Sequence, residues 1–63
     1  MNQEQLLNYE QASKMLGLAK GTVYAMVHQN RIPHIRLGRR LVRFDRAELQ
    51  KFVDAHRVEA RTA

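Results

Sequence analysis

Between Asn8 and Pro33 the chain carries two helix signals with almost nothing between them. Asn8 is a strong N-cap residue, and Gln11 stands three positions later, the spacing of a capping box. Leu7 and Ala12 fall where a hydrophobic staple would form. Ala12, Met15 and Leu16 make a short apolar stripe, and Gly17 predicts a left-handed end to the first helix. Val23, Met26 and Val27 then recur at helical spacing and define the inner face of a second helix. Asn30 can close it because Asn tolerates positive φ, and Pro33 bars continuation. Only Gly17, Leu18 and Ala19 join the two, so the helices meet across a tight turn.

The period then changes from helix to strand. Ile35 and Leu37 alternate with His34 and Arg36, and Val42 and Phe44 bracket Arg43, which predicts two short strands around a basic tip at Gly38-Arg39-Arg40. Asp45 and Glu48 form a second capping-box pattern, and Leu49, Phe52 and Val53 give the inner face of a last helix ending near His56. The predicted fold is mainly α with a small β-hairpin: helix, turn, helix, hairpin wing, helix, a winged helix-turn-helix. Its expected core is Leu7, Ala12, Leu16, Leu18, Val23, Val27, Ile35, Leu37, Val42, Phe44, Leu49, Phe52 and Val53. The domain is expected over residues 6–56, with a flexible N-terminus at 1–5 and a C-terminal tail at 57–63. No internal repeat, linker or low-complexity segment interrupts it.

Charge points to the partner. From Gln11 to Phe44 there is no Asp or Glu, while Lys14, Lys20, Arg31, Arg36, Arg39, Arg40 and Arg43 all fall there. The segments on either side are acidic or balanced, so the net charge of +5 arises in the middle. Such a block creates a positive field and is best neutralised by a polyanion, nucleic acid first. A chain of 63 residues makes one small domain that buries roughly 60% of its unfolded surface. It contains no Cys, so neither a disulfide nor thiolate zinc ligation is available. His28, His34 and His56 have no metal-binding spacing, and neither a metal nor a cofactor is expected. No apolar run reaches the ~18 residues of a membrane span, and Met1 to Gln5 lacks the basic start of a signal peptide. No membrane partner is expected, and a cytoplasmic location, in the nucleoid of a bacterial host, is.

On the second helix, stepping about 100° per residue from Val23 puts Gly21, Ala25 and His28 opposite the buried face, with Tyr24 at its border. Lys20 and Thr22 lie in the first turn, where free backbone N–H groups and the helix dipole favour a phosphate. This outer face lacks the Arg, Asn and Gln side chains that make bidentate base contacts. Gly21 and Ala25 would instead let the helix lie close to a groove floor, with single contacts from Thr22 or His28. Tyr24 can pack its ring and also offer its hydroxyl to a phosphate, or do only the first. Modest sequence preference follows, with selectivity from DNA shape or from adjacent copies.

In the hairpin, alternation puts Arg36 and Arg43 on one outer side, with Arg39 and Arg40 at the tip. Charge on an edge hairpin also discourages strand pairing, but Lys would serve that purpose equally well. Four guanidinium groups without a nearby acid suit forked contacts to phosphate or insertion into a narrow minor groove.

The run Leu7-Asn8-Tyr9-Glu10-Gln11-Ala12, then Leu16-Gly17-Leu18, Thr22-Val23-Tyr24, Ile32-Pro33, Arg36-Leu37-Gly38-Arg39-Arg40, Phe44-Asp45 and Glu48-Leu49, resembles the excisionase-type, MerR-like winged helix-turn-helix domains. The resemblance spans about residues 6 to 54. It implies that Lys20, Gly21, Thr22, Tyr24 and Ala25 face the groove and that Arg36, Arg39, Arg40 and Arg43 form the DNA-binding wing. Two positions depart from the family pattern: Ala19 stands where Ser often caps the second helix, and Ala25 where a basic residue often follows the Tyr. Members include phage excisionases, which bend DNA and act as recombination directionality factors for tyrosine integrases. The resemblance therefore implies double-stranded DNA, a tyrosine integrase and further copies of the chain on DNA as partners.

With no room expected for an effector or coiled-coil module, an excisionase is the leading expectation. A small MerR-like transcriptional regulator and a protein–protein adaptor are the alternatives. No nucleophile–base pair, phosphate loop or carboxylate dyad suggests an enzyme.

Overall fold

The structure, a computed structural model, describes residues 6–58. The expected flexible segment 1–5 and residues 59–63 of the expected tail lie outside the described residues. The order is β1 (Leu6–Leu7), α1 (Tyr9–Leu16), α2 (Lys20–His28), β2 (Ile35–Gly38), β3 (Leu41–Asp45) and α3 (Arg46–Ala55). This is the winged helix-turn-helix architecture, with one strand more than the periodicity indicated. Leu6 and Leu7 pair antiparallel with Asp45 and Phe44, giving a three-stranded sheet in the order β1-β3-β2. A two-residue strand has no readable alternation, so only its partner reveals it.

Local capping chemistry sets the helix-turn-helix. The Asn8 side chain accepts from the Gln11 backbone N–H at 2.8 Å, and Gln11 Oε1 accepts from the Asn8 N–H at 3.0 Å, so the capping box is complete. Gly17 adopts φ 69°, and the Leu18 and Gly17 N–H groups donate to the Ser13 and Lys14 carbonyls. α2 ends by the same device with Asn30 at φ 55°, where the Arg31 and Asn30 N–H groups donate to Met26 and Val27. Both ends are Schellman motifs, one closed by Gly and one by Asn. α2 starts at Ala19, whose side chain caps nothing. At α3, Asp45 caps Ala47 and Glu48, but the reciprocal bond of a capping box is not formed. Asp45 is still part of β3, opposite Leu6, so its backbone belongs to the sheet as well as to the cap. Beyond α3, Arg57 pairs with Asp54 at 2.9 Å.

The core is Leu7, Ala12, Val23, Val27, Ile32, Val42, Phe44 and Leu49, with Tyr9, Met15, Leu16, Met26 and Phe52 packed against it. Four expected core residues are not in it. Leu18 rides on the turn at 39% exposure and Leu37 on the wing at 56%. The β2–β3 register slips between Arg36 and Gly38, which leaves Leu37 without an opposite partner and turns it outward. Ile35 and Val53 are half-buried at the margin. Ile32, in the connection after α2, fills the core in their stead at 3% exposure. His34 is half-buried, with its Nδ1 2.9 Å from the Ile32 carbonyl oxygen.

Candidate nucleic-acid interface

α2 presents the outer face that its sequence implies. Val23 and Val27 are buried, while Lys20, Gly21, Thr22, Tyr24, Ala25 and His28 are exposed. A Cβ placed on Gly21 would meet no atom within 4 Å, so this side of the helix is open and the fold itself does not require Gly there. Without an N-cap side chain, the first turn keeps backbone N–H groups uncapped beside Lys20, a setting that favours an anion.

The wing's arginines divide between its two faces. Residues opposite one another in antiparallel strands share a face. Arg36 is opposite Val42, whereas Arg43 is opposite Ile35. Arg36 therefore shares its face with the core residue Val42 and points toward α2, and Arg43 lies on the other face. The expectation that Arg36 and Arg43 share one side is incorrect, because simple alternation does not fix which residues stand opposite each other across the turn. Arg43 is half-buried and donates to the Val42 carbonyl at 2.9 Å.

Arg36, Arg39 and Arg40 gather around one hollow of about 420 Å³ between α2 and the hairpin. Its walls are completed by Tyr9, Tyr24 and His28, with Val27 and Val42 beneath. Arg36 reaches back to the Arg39 carbonyl at 3.5 Å, which draws it toward the tip. Among the described residues the single ion pair is Arg57–Asp54, so none of these wing guanidinium groups is neutralised by a carboxylate there. The hollow joins a short helix to a cationic wing on one side of the molecule, a shape that suits a backbone carrying regularly spaced phosphates.

Tyr9 escaped the sequence reading as a site residue. It opens α1, directly after the Asn8 cap, where nothing marks it as different from any other first-turn residue. Its ring stacks on Tyr24, with centroids 4.2 Å apart and planes at 21°, and meets Phe44 edge-on at 5.4 Å. Burial, and secondarily the nearby Tyr24 phenol, raise its pKa above the ordinary 10.0, against a smaller lowering by the Arg36 guanidinium. At neutral pH Tyr9 is a phenol, able to donate a hydrogen bond.

Among the described residues no cluster of His, Cys, Asp or Glu could hold a metal ion, and no helix is long and apolar enough to cross a membrane. No curated protein and no solved structure matched the chain. A family model did: the helix-turn-helix domain, over residues 6–57, which takes in every element that frames the hollow. The chain belongs to the helix-turn-helix domain family.

Proposed function

We propose that this protein is a DNA-bending architectural factor, an excisionase that promotes integrase-mediated excision. Family membership supports double-stranded DNA as its ligand, and the family includes excisionase-like DNA-binding proteins. The observation that carries the reading is the convergence of Arg36, Arg39 and Arg40 with Tyr24 and His28 of α2 on one hollow, beside the exposed Lys20, Gly21, Thr22 and Ala25 of the same helix. In this reading Lys20 and Thr22 take phosphates, while Gly21, Ala25 and His28 lie against the groove. Tyr24 and the three arginines hold the adjoining backbone. Arg43, on the far face of the wing, contributes long-range charge rather than contact.

The small outer face of α2 favours an architectural role over a sequence-selective one. With Gly21 and Ala25 where base-reading side chains would stand, phosphate contacts outweigh base contacts. A helix and a wing gripping neighbouring stretches of backbone can hold a bend whose cost depends on the sequence being bent. The protein performs no chemistry of its own in this scheme. It shapes the attachment-site DNA, in adjacent copies, for a tyrosine integrase.

The test is excision in vitro with the cognate integrase, alongside duplex cyclisation to read bending. Stimulated excision and accelerated cyclisation are expected. Normal DNA binding without either result would replace the excisionase with a small transcriptional regulator. No DNA binding at moderate salt would leave the cationic side to an acidic protein partner.

A further inference from the structure

We propose that Tyr9, from outside both the recognition helix and the wing, is a third DNA-contacting element: its hydroxyl donates to a backbone phosphate seated in the hollow between α2 and the hairpin. This rests on the DNA-binding reading above and adds to it a residue that neither the helix nor the wing contains.

Tyr9 is fixed in place by its ring. The stack on Tyr24 and the edge contact with Phe44 hold the aromatic plane from two directions. Phe44 is fully buried and anchors that contact to the core. Among the described residues the Tyr9 hydroxyl has no protein partner, and no buried side-chain polar atom lacks one, so the hydroxyl reaches open space. That space is the hollow, which Tyr9 lines together with Tyr24, Arg36, Arg39 and Arg40.

An unpaired donor beside three guanidinium groups is placed for an anion. A phosphate has several acceptor oxygens, and charge-assisted bonds to it are stronger than neutral ones. The phenol remains protonated at neutral pH, so it donates rather than repels. The rigid ring loses little conformational freedom on binding, unlike a long Arg side chain. Tyr9 thereby fixes where along the backbone the flexible arginines close.

The experiment compares wild type, Tyr9→Phe and the double variant Arg39→Ala/Arg40→Ala, by fluorescence anisotropy on a labelled mixed-sequence duplex at fixed low salt. Tyr9→Phe keeps the stacked ring and should keep the thermal midpoint, while DNA affinity falls about tenfold, as for loss of a hydrogen bond to a charged group. Affinity equal to wild type overturns the proposal. A second measurement uses the wild-type protein labelled with carbon-13 at the tyrosine ζ position. The chain has two tyrosines, so Tyr9→Phe assigns the signals by deleting one. Both resonances should move on adding duplex. A Tyr9 signal that stays fixed while that of Tyr24 moves overturns the proposal even if the Phe variant is destabilised. Wild type that fails to bind duplex at low salt removes the DNA reading and this proposal together. Binding that depends on Arg39 and Arg40 but not on the Tyr9 hydroxyl removes the proposal alone.

Discussion

The rings of Tyr9 and Tyr24 lie 4.2 Å apart and nearly parallel, and this stack bridges the start of α1 and the middle of α2. It is the one aromatic link between the two helices, and it forms a wall of the hollow. Aromatic pairs of this kind contribute about 0.5–1.5 kcal/mol beyond the area they bury. A double-mutant cycle with Tyr9→Leu and Tyr24→Leu, read by denaturant unfolding, should return a coupling in that range. Strict additivity of the two changes would mean that the rings touch without stabilising the helix pair.

Alkaline pH gives an independent reading of Tyr9. Its pKa is raised in the folded state, first by burial, so the folded protein resists its ionisation more than the unfolded chain does. The associated stability is fully present below about pH 10, the ordinary phenol value, and is lost as pH rises through the folded-state pKa. Unfolding midpoints measured across that window should fall more steeply for wild type than for Tyr9→Phe, with tyrosinate absorbance following the ionisation directly. Parallel curves for the two proteins would show that Tyr9 is not shielded.

The division of the wing arginines predicts unequal mutants. Arg36, Arg39 and Arg40 border the hollow, and Arg43 lies on the other face, engaged with the Val42 carbonyl. Each phosphate contact contributes about 0.9 to the log–log salt slope of DNA affinity. Replacing Arg39 or Arg40 with Ala should lower the slope by about that amount and weaken binding to all sequences alike. Arg43→Ala should leave the slope nearly unchanged. A loss confined to one duplex sequence would make the tip a reader of bases instead.

The contrast between Arg36 and Arg43 also marks the limit of what the sequence could reveal. Caps and stops are local chemistry, so Asn8 with Gln11, Gly17, Asn30 and Asp45 were legible, and so were all three helices. The two strands of the hairpin were legible from their period. Register is not local: one unpaired residue at Leu37 decides which side chains face α2, and periodicity alone carries no trace of it. Ile32 was missed from the core because it sits in a connection with no period to place it. β1 and the Tyr9–Tyr24 stack were missed because each depends on a partner distant in sequence. The candidate site was thus readable as a list of charges and a helix face, but its assembly into one hollow was not.

Ala19 offers a stabilising change. α2 begins there without a side-chain cap, although the backbone is extended as an N-cap requires, at φ −67° and ψ 148°. Ser in this position can accept from a first-turn N–H, and such caps are worth about 0.5–2 kcal/mol over Ala. Ala19→Ser should raise the unfolding midpoint accordingly. Because the bond occupies a donor that would otherwise serve a phosphate, DNA affinity should fall slightly while stability rises. An unchanged midpoint would mean that the first turn of α2 is already satisfied by other means.

Gly21 separates the needs of the fold from those of the interface. It has ordinary helical φ, lies in the first turn of α2, and has nothing within 4 Å of where a Cβ would stand. Within the protein, Gly21→Ala therefore adds a methyl group to open solvent and removes backbone entropy from the unfolded chain. Helix propensity alone predicts a gain of up to about 1 kcal/mol. In the proposed complex the same methyl group would stand between the helix and the groove floor and hold the two apart. The expected outcome is a variant that melts at a higher temperature yet binds duplex more weakly, by an amount that grows with a bulkier residue such as Gly21→Leu. Thermal melts and anisotropy titrations on the same preparations check both halves. If Gly21→Leu binds as well as wild type, the outer face of α2 does not enter a groove, and the wing with its hollow is left as the sole contact.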